Sequence, residues 1–393
     1  MTIETDQKKI EEVLTRGVEN IYPTKEALER VLKSGKKIRL YNGIDPTGKL
    51  HVGHLVILRK LRQFQDLGHE VIVLIGDFTA MIGDPTDKSA TRKPLTRKQI
   101  LENAKNYKKQ ISKVLDLKKS NIRFLHNEKW TNELSPADML ELASKFTVAR
   151  LLERDMFQAR IKEGRDIRVH EFLYPIFQAY DSVTMDVDLE IGGNDQMFNM
   201  LAGRELMRQI KNKEKFVITT KLLIDSSGKK MGKTEGNMIN LDEVPGQMFG
   251  KIMSWPDSLL EMGFELLTDI PSDRARELLK NPREAKAELA KKIISVCHDE
   301  SAANAAEKEF EKVFKDKELP VKIPEVALKE TSLNILDLLV KTKLAHSKSE
   351  AKRLILQKGV KIDGQIQKDW QKIVETKRGQ VLQVGKRKFV KIA

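Results

Sequence analysis

Between residues 37 and 76, two apolar runs enclose an amphipathic one, and that order leaves few folds open. "KIRLYNGI" (37–44) and "VIVLIG" (71–76) read as buried strands. "HLVILRKLRQFQDLG" (54–68) reads as a helix, because Leu58, Leu61 and Phe64 recur at helical spacing and Gly68 is placed to stop it. Strand, helix, strand at this distance is a βαβ unit, so an α/β fold with a parallel sheet is expected. Open parallel sheets bind ligands beyond the carboxyl ends of their strands. In this chain that place is occupied by "DPTGKLHVGH" (45–54).

Further strands are expected at "DVDLEIGG" (186–193), which alternates and stops at two glycines, and at "FVITTKLLID" (216–225). After about residue 245 the pattern turns helical. "KELPVKIPEVALKE" (317–330) carries two prolines and reads as a linker, and a small basic unit begins at Leu333. The expected division is an α/β domain over 1–245, a helical domain over 246–328 and a basic domain over 329–393.

A chain of 393 residues suits two or three domains. Its formal charge of +14 favours a polyanionic partner, nucleic acid before a membrane surface. Cys297 is the single cysteine, which excludes a disulfide within the chain and a thiolate zinc cluster. The start, "MTIETDQKKIEEVL", resembles neither a signal core nor an acid-free transit segment, and no apolar run is long enough to span a bilayer. The cytoplasm is the expected compartment.

His51 and His54 could be zinc ligands, ordinary helix-start residues or groups that face phosphate. A zinc site needs more ligands, and no cysteine or interposed glutamate supplies one. No dedicated metal site is expected. The strand-to-helix turn instead presents unpaired N–H groups and a positive dipole end. Gly53 lets a ligand approach the backbone, and imidazole donors there suit developing negative charge. A second phosphate element, "SSGKKMGKTEGN" (226–237), places Lys230 and Lys233 around Met231 and Gly232, with Thr234 following. Glycines on either side make it a mobile loop.

Together, HVGH and KMGKT resemble the two signature sequences of class I aminoacyl-tRNA synthetases. Val52 stands where isoleucine is more usual, and Gly232 and Thr234 stand where serines are often found. "HEFLYPIFQAYDSV" (170–183) narrows the reading, since Tyr174, Gln178 and Asp181 form one polar stripe along a helix. "YxGxDPT", "GDPTDKSATR" (83–92), "YPIFQAYD" (174–181), "IGGNDQ" (191–196) and "KMGKT" resemble, in order and spacing, the bacterial tyrosyl-tRNA synthetases over nearly the whole chain.

That resemblance implies a Rossmann-like parallel-sheet catalytic domain, an α-helical anticodon-side domain and a small α+β S4-like domain. It implies that Tyr41 and Asp181 hydrogen-bond the substrate phenol. Asp84, Tyr174 and Gln178 would hold its α-ammonium, with Thr79 and Gln196 nearby. Asp45, Gly53, Gly192 and Asp195 fall to ATP, with Asp195 accepting from the ribose. Thr47, His51 and His54 would face the phosphates, and Lys88, Arg92, Lys230, Lys233 and Thr234 would close over the pyrophosphate. The loop from Thr47 to His51 is one residue shorter than in some members. Magnesium would travel on the ATP, and a homodimer is implied.

In "LNILDLLVKTKLAHSKSEAKRLILQKGVKIDGQIQ" (333–367), Ser347 and Glu350 read as a capping box and Gly359 as the helix end. "VKIDGQI" reads as a hairpin turning at Asp-Gly. Lys348, Lys352 and Arg353 make the helix basic. The pattern resembles the S4 RNA-binding domain, which would hold tRNA by shape and phosphate. Two other functions are compatible with parts of the sequence. A small nucleotidyl transferase would share the histidine signature but not the helical middle or the basic tail. An RNA-binding protein with a dead synthetase fold would not need every site residue in place.

Overall fold

The computed structural model describes residues 2–84, 95–225, 231, 238–315, 323–328, 330–385 and 388–393. It divides into two compact units, 1–304 and 305–393. Among the described residues of the first unit, six strands form one sheet: β1 (Val18–Tyr22), β2 (Arg39–Ile44), β3 (Glu70–Ile75), β4 (Ile122–His126), β5 (Leu189–Gly193) and β6 (Phe216–Thr220). Their order across the sheet is β1-β6-β5-β2-β3-β4. Every neighbouring pair is parallel except the edge pair β1–β6. The chain proceeds outward from β2 through β3 to β4, and on the other side from β5 to β6. The order therefore reverses between β2 and β5, and a crevice opens at the carboxyl ends of those two strands.

The helix Val52–Asp66 crosses from β2 to β3. Leu55, Leu58, Leu61 and Phe64 are fully buried along one face, each contributing roughly 1.5–3 kcal/mol of hydrophobic burial. It stops where Gly68 takes a φ of 92°, as the sequence predicts. The expected strand over 186–193 is shorter. Asp186 takes a left-handed conformation that closes the helix Val169–Met185, and β5 starts at Leu189 and includes both glycines. Its five residues are all buried, because helices Val52–Asp66 and Met197–Lys211 both pack on it. Likewise only 216–220 of the expected 216–225 is strand.

The helices Pro245–Met253, Leu260–Leu267, Ser272–Leu278 and Pro282–Cys297 belong to the first compact unit. Arg16 ties one of them down by donating to the carbonyls of Phe264 (3.0 Å), Glu265 (3.0 Å) and Ile270 (2.8 Å). By compactness the division therefore falls inside the helix Glu300–Lys315, whereas divisions at 245 and 328 would separate functions.

The second unit holds β7 (Glu325–Val326), β8 (Ser332–Asn334), β9 (Val360–Ile362), β10 (Gln365–Ile366), β11 (Ile373–Glu375), β12 (Val381–Val384) and β13 (Lys388–Ile392). Five make a sheet in the order β10-β9-β12-β13-β7, and β8 pairs with β11. Ile335, Leu338, Leu339, Ile355 and Leu382 form its core. Part of the expected linker is thus a sheet strand, since β7 pairs in parallel with β13. The Asp363–Gly364 turn has positive φ at both residues, 49° and 81°, as a tight hairpin requires. The helix Lys348–Leu356 begins as expected, with Ser347 accepting from the Glu350 N–H at 3.2 Å. Glu350 reaches back one residue further than a standard box, to the N–H of His346 (2.7 Å). Lys358, not Gly359, takes the left-handed conformation beyond the helix (φ 57°). No helix among the described residues is long and apolar enough to cross a membrane.

Candidate active site

At the end of β2 the chain turns through Asp45–Leu50 into the helix Val52–Asp66, and His51 is its N-cap. The His51 Nδ1 accepts from the Gly53 N–H at 3.1 Å, and the His54 Nδ1 accepts from the His51 N–H at 3.1 Å. A nitrogen that accepts carries no proton, so both neutral rings hold their proton on Nε2. Backbone hydrogen bonds thus fix two imidazole donors, their centroids 4.0 Å apart, at a positive helix end. Gly53 makes this cap possible: a Cβ there would lie 2.9 Å from His51 Cε1 and 3.0 Å from its Nδ1. Thr47 lies in the turn, its N–H donating to the Asp45 carbonyl at 2.8 Å.

Met231 and the chain from Ile239 to Leu241 reach the same point. Val52 N–H donates to the Ile239 carbonyl (3.0 Å) and Leu241 N–H to the Leu50 carbonyl (3.0 Å). Met231 is buried, and its carbonyl lies 3.7 Å from where a Gly53 Cβ would stand. Lys88, Arg92, Lys230, Gly232, Lys233 and Thr234 lie outside the described residues.

The polar stripe on the helix Val169–Met185 faces the crevice, and each member finds a partner there. Tyr174 donates to Asp45 Oδ2 at 2.8 Å, and Thr79 donates to Asp45 Oδ1 at 2.7 Å. Asp181 accepts from Trp130 Nε1 (2.8 Å) and Asn127 Nδ2 (3.2 Å). Burial pushes the Asp45 carboxyl up to about 7, against the pull of the Thr79 and Tyr174 donors. Burial likewise pushes Asp181 up to about 8, against its Trp130 and Asn127 donors. These are two buried carboxyls raised toward neutrality at the crevice.

Gln178, the middle of the stripe, donates to Glu190 Oε1 at 3.0 Å. Glu190 also pairs with Lys215, and Lys215 donates to Ser182 Oγ at 2.8 Å. Ser182 Oγ in turn lies 2.9 Å from the Tyr41 hydroxyl. The Tyr41 hydroxyl, expected to face a phenol, has this protein partner and is fully buried. Burial, followed by the charges of Glu190 and Asp181, holds the Tyr41 phenol well above its ordinary value.

Asp84 accepts from Gln196 Nε2 (2.5 Å) and from Arg154 (3.3 Å). Asp195 follows β5 in a short 3-10 turn, Asn194–Gln196. A Cβ on Gly192 would lie 2.9 Å from Met200 Sδ, so this glycine makes room for a side chain of the next helix. Among the described residues, no group of three or more His, Cys, Asp or Glu side chains could hold a metal ion.

The sequence reading placed Tyr41, Asp45, Thr79, Tyr174, Gln178, Asp181 and the histidines at one crevice. The structure links Asp45, Thr79 and Tyr174 directly and Asp181 to Thr79 through Asn127. It joins Gln178 to Tyr41 through Glu190, Lys215 and Ser182, and sets the histidines at the turn that follows β2. It missed Asn127, Trp130, Arg154, Ser182, Glu190 and Lys215. Two of these left a trace. Glu190 is a charge inside an otherwise apolar strand, and Lys215 directly precedes a strand with no exposed residue. In the second unit, Lys348 pairs with Asp337 at 2.6 Å and Lys352 lies 3.9 Å over the Trp370 ring. Arg353 is exposed.

Residues 33–315 match the family described as tRNA synthetases class I (W and Y). Residues 309–392 match the tyrosine–tRNA ligase SYY-like C-terminal domain. The chain is 46% identical over 390 residues to a tyrosine–tRNA ligase of Thermotoga maritima, covering 97% of this chain and 96% of that one. It is 45% identical over 392 residues to one of Moorella thermoacetica, covering 97% and 94%. Its fold is similar to a C-terminally truncated mitochondrial tyrosyl-tRNA synthetase of Aspergillus nidulans, with a TM-score of 0.66 and 21% identity over 79% of this chain and 95% of that one.

Proposed function

The chain belongs to the class I tyrosyl-tRNA synthetases, and on that footing we propose which residues carry each part of the tyrosine–tRNA ligase reaction. The tyrosine carboxylate attacks the α-phosphorus of ATP, and pyrophosphate leaves. The tyrosyl group then passes from the adenylate to the 3′ end of tRNA(Tyr), releasing AMP. Neither step needs a protein nucleophile, so catalysis is positioning and charge stabilisation.

Tyrosine enters the crevice between β2 and β5 with its phenol toward Tyr41 and Asp181. Its ammonium lies toward Asp84, Tyr174 and Gln178, beside Thr79 and Gln196. Asp45, Gly53, Gly192 and Asp195 border the nucleotide. The Nε2 protons of His51 and His54 face the phosphates with Thr47. Lys88, Arg92, Lys230, Lys233 and Thr234 act on the pyrophosphate, and Mg²⁺ arrives with the ATP. The observation that supports this most is the meeting, at one strand-order reversal, of two backbone-fixed imidazoles and a buried polar stripe. The deciding experiment is tyrosine-dependent exchange of pyrophosphate into ATP, and its absence in folded protein would sink the reading.

The helices beyond residue 245 face the anticodon side, and 329–393 hold RNA through Lys348, Lys352 and Arg353. Because β7 belongs to the small sheet, deletion of residues 323–393 removes that unit more cleanly than a cut at 330. Adenylate formation is expected to stay within about threefold while transfer to tRNA falls at least about tenfold, from the loss of phosphate contacts. Single-turnover measurements of the two steps check this, and equal loss of both would refute it. A homodimer in the cytoplasm completes the reading. Four consecutive helices expose Leu140, Val148, Ile161 and Val169, apolar surface that a second copy would cover. Sedimentation of the wild type against Val169→Asp tests that assignment.

A further inference from the structure

Behind the candidate tyrosine site lies an ion pair that the reaction itself does not call for. Lys215 is fully buried and Glu190 is 2% exposed. Burying such a pair is weak evidence for stability, because desolvation offsets most of the attraction. The fold nevertheless makes room for it. A Cβ on Gly203 would lie 2.5 Å from Lys215 Nζ and 3.0 Å from Ser182 Oγ. Tyr41 and Glu190 are register partners on the parallel strands β2 and β5, so their side chains leave the sheet on the same face.

The pair touches both ends of the amino-acid site. Glu190 as a carboxylate only accepts, so Gln178 must present its amide NH₂ to it. The Gln178 carbonyl oxygen is thereby turned away from Glu190, which is the polarity an ammonium group needs. At the other end Lys215 only donates. It fills one lone pair of Ser182 Oγ at 2.8 Å, and that hydroxyl lies 2.9 Å from the Tyr41 oxygen. Lys215 Nζ also lies 5.8 Å from the centre of the Tyr41 ring.

We propose that Lys215 and Glu190 are positioning residues for tyrosine, fixing the Gln178 amide directly and the Tyr41 hydroxyl through Ser182. The proposal rests on the site reading given above. It assigns the pair to recognition of the amino acid and not to ATP, because its partners lie on the amino-acid side of the crevice.

The test is steady-state pyrophosphate exchange by the full-length enzyme with three variants: Lys215→Met, Glu190→Gln and the two combined. Both replacements are close to isosteric. The double variant leaves no unpaired charge, so it serves if Lys215→Met alone fails to fold. The expected result is a tyrosine KM raised at least about tenfold in the double variant, with kcat and the ATP KM within about threefold of wild type. Preference for tyrosine over phenylalanine should also fall, because Lys215→Met frees Ser182 to turn its hydroxyl away from Tyr41, whereas the amide introduced by Glu190→Gln no longer dictates the orientation of Gln178 and weakens the ammonium end for both amino acids. A tyrosine KM and a phenylalanine preference unchanged in the folded double variant would overturn the proposal and leave the pair a packing feature. Parallel losses in tyrosine KM, ATP KM and kcat would also overturn it, because they report general damage. Wild-type enzyme without tyrosine-dependent exchange would instead defeat the site reading, a result separate from any of these.

Discussion

The two sides of the crevice are built from different materials. On the amino-acid side, Tyr41, Asp181, Ser182, Glu190 and Lys215 are buried to 3% exposure or less and bonded side chain to side chain. On the phosphate side, His51 and His54 are held by main-chain N–H groups at a helix start. Buried networks are costly to leave half-satisfied and therefore selective. Donors fixed by the backbone need no reorganisation when charge develops. On the proposed assignment, choice of substrate and stabilisation of charge thus fall to separate physical devices.

The largest expected effect that sharpens this contrast is Asp181→Ala. It removes the carboxyl and leaves the Trp130 indole N–H unpaired, with Asn127 Nδ2 keeping only its bond to Thr79. About 3–5 kcal/mol should be lost from tyrosine kcat/KM, on the order of 10²–10⁴-fold. Exchange kinetics with tyrosine and phenylalanine measure it, and a variant as active and selective as wild type would erase the distinction between the two sides.

His51→Ala should break the other side. Activation should slow by about 2–4 kcal/mol while ground-state tyrosine affinity stays nearly unchanged. The same change removes a helix cap, so the melting transition should also drop by the equivalent of about 1 kcal/mol. His54→Ala removes a donor without removing that cap. Single-turnover adenylate formation beside equilibrium tyrosine binding decides the matter, and a variant defective only in tyrosine binding contradicts it.

Asp45 joins the two sides, and its titration gives the smallest effect. Its folded carboxyl sits at about 7, raised by burial from 3.8. Between those values the native state binds more protons than the unfolded chain, so the Asp45 contribution to stability falls as pH rises from about 4 to about 7. Buried His69, pushed down to about 4 by burial, works in the opposite direction over part of that range. The comparison must therefore be differential. Relative to wild type, Asp45→Asn should gain on the order of 1–3 kcal/mol between pH 4 and pH 7. Denaturant melts at both pH values read this directly, and a constant difference would mean that Asp45 is ionised throughout.

These sides were unequally legible in the sequence. The phosphate side could be read because its chemistry is local: His51, Gly53 and His54 occupy one turn, and a strand before and a helix after fix where that turn sits. The polar stripe at Tyr174, Gln178 and Asp181 was legible because helical spacing puts it on one face. Trp130 and Asn127 were not, and Lys215 left only the trace of a charge before a buried strand, since each meets Asp181 or Ser182 only through the order of strands in the sheet. β5 illustrates the same limit. Its apparent alternation belonged partly to a helix cap at Asp186, which no pattern of period two distinguishes from a strand start.

The rung that joins Tyr41 to Glu190 also restricts how this pocket could be re-tuned to another amino acid. A smaller or apolar residue at position 41 removes one of the two partners of Ser182 Oγ. Relieving Ser182 exposes the ammonium of Lys215, and neutralising Lys215 leaves Glu190 holding Gln178 without a counter-charge. Each single step passes through a less satisfied state than either endpoint, so variants that exchange several of these positions together should outperform the sum of their single changes. On the assignment proposed above, the register of two strands thereby becomes a form of inheritance, with substrate identity carried by a block of residues that must change as one.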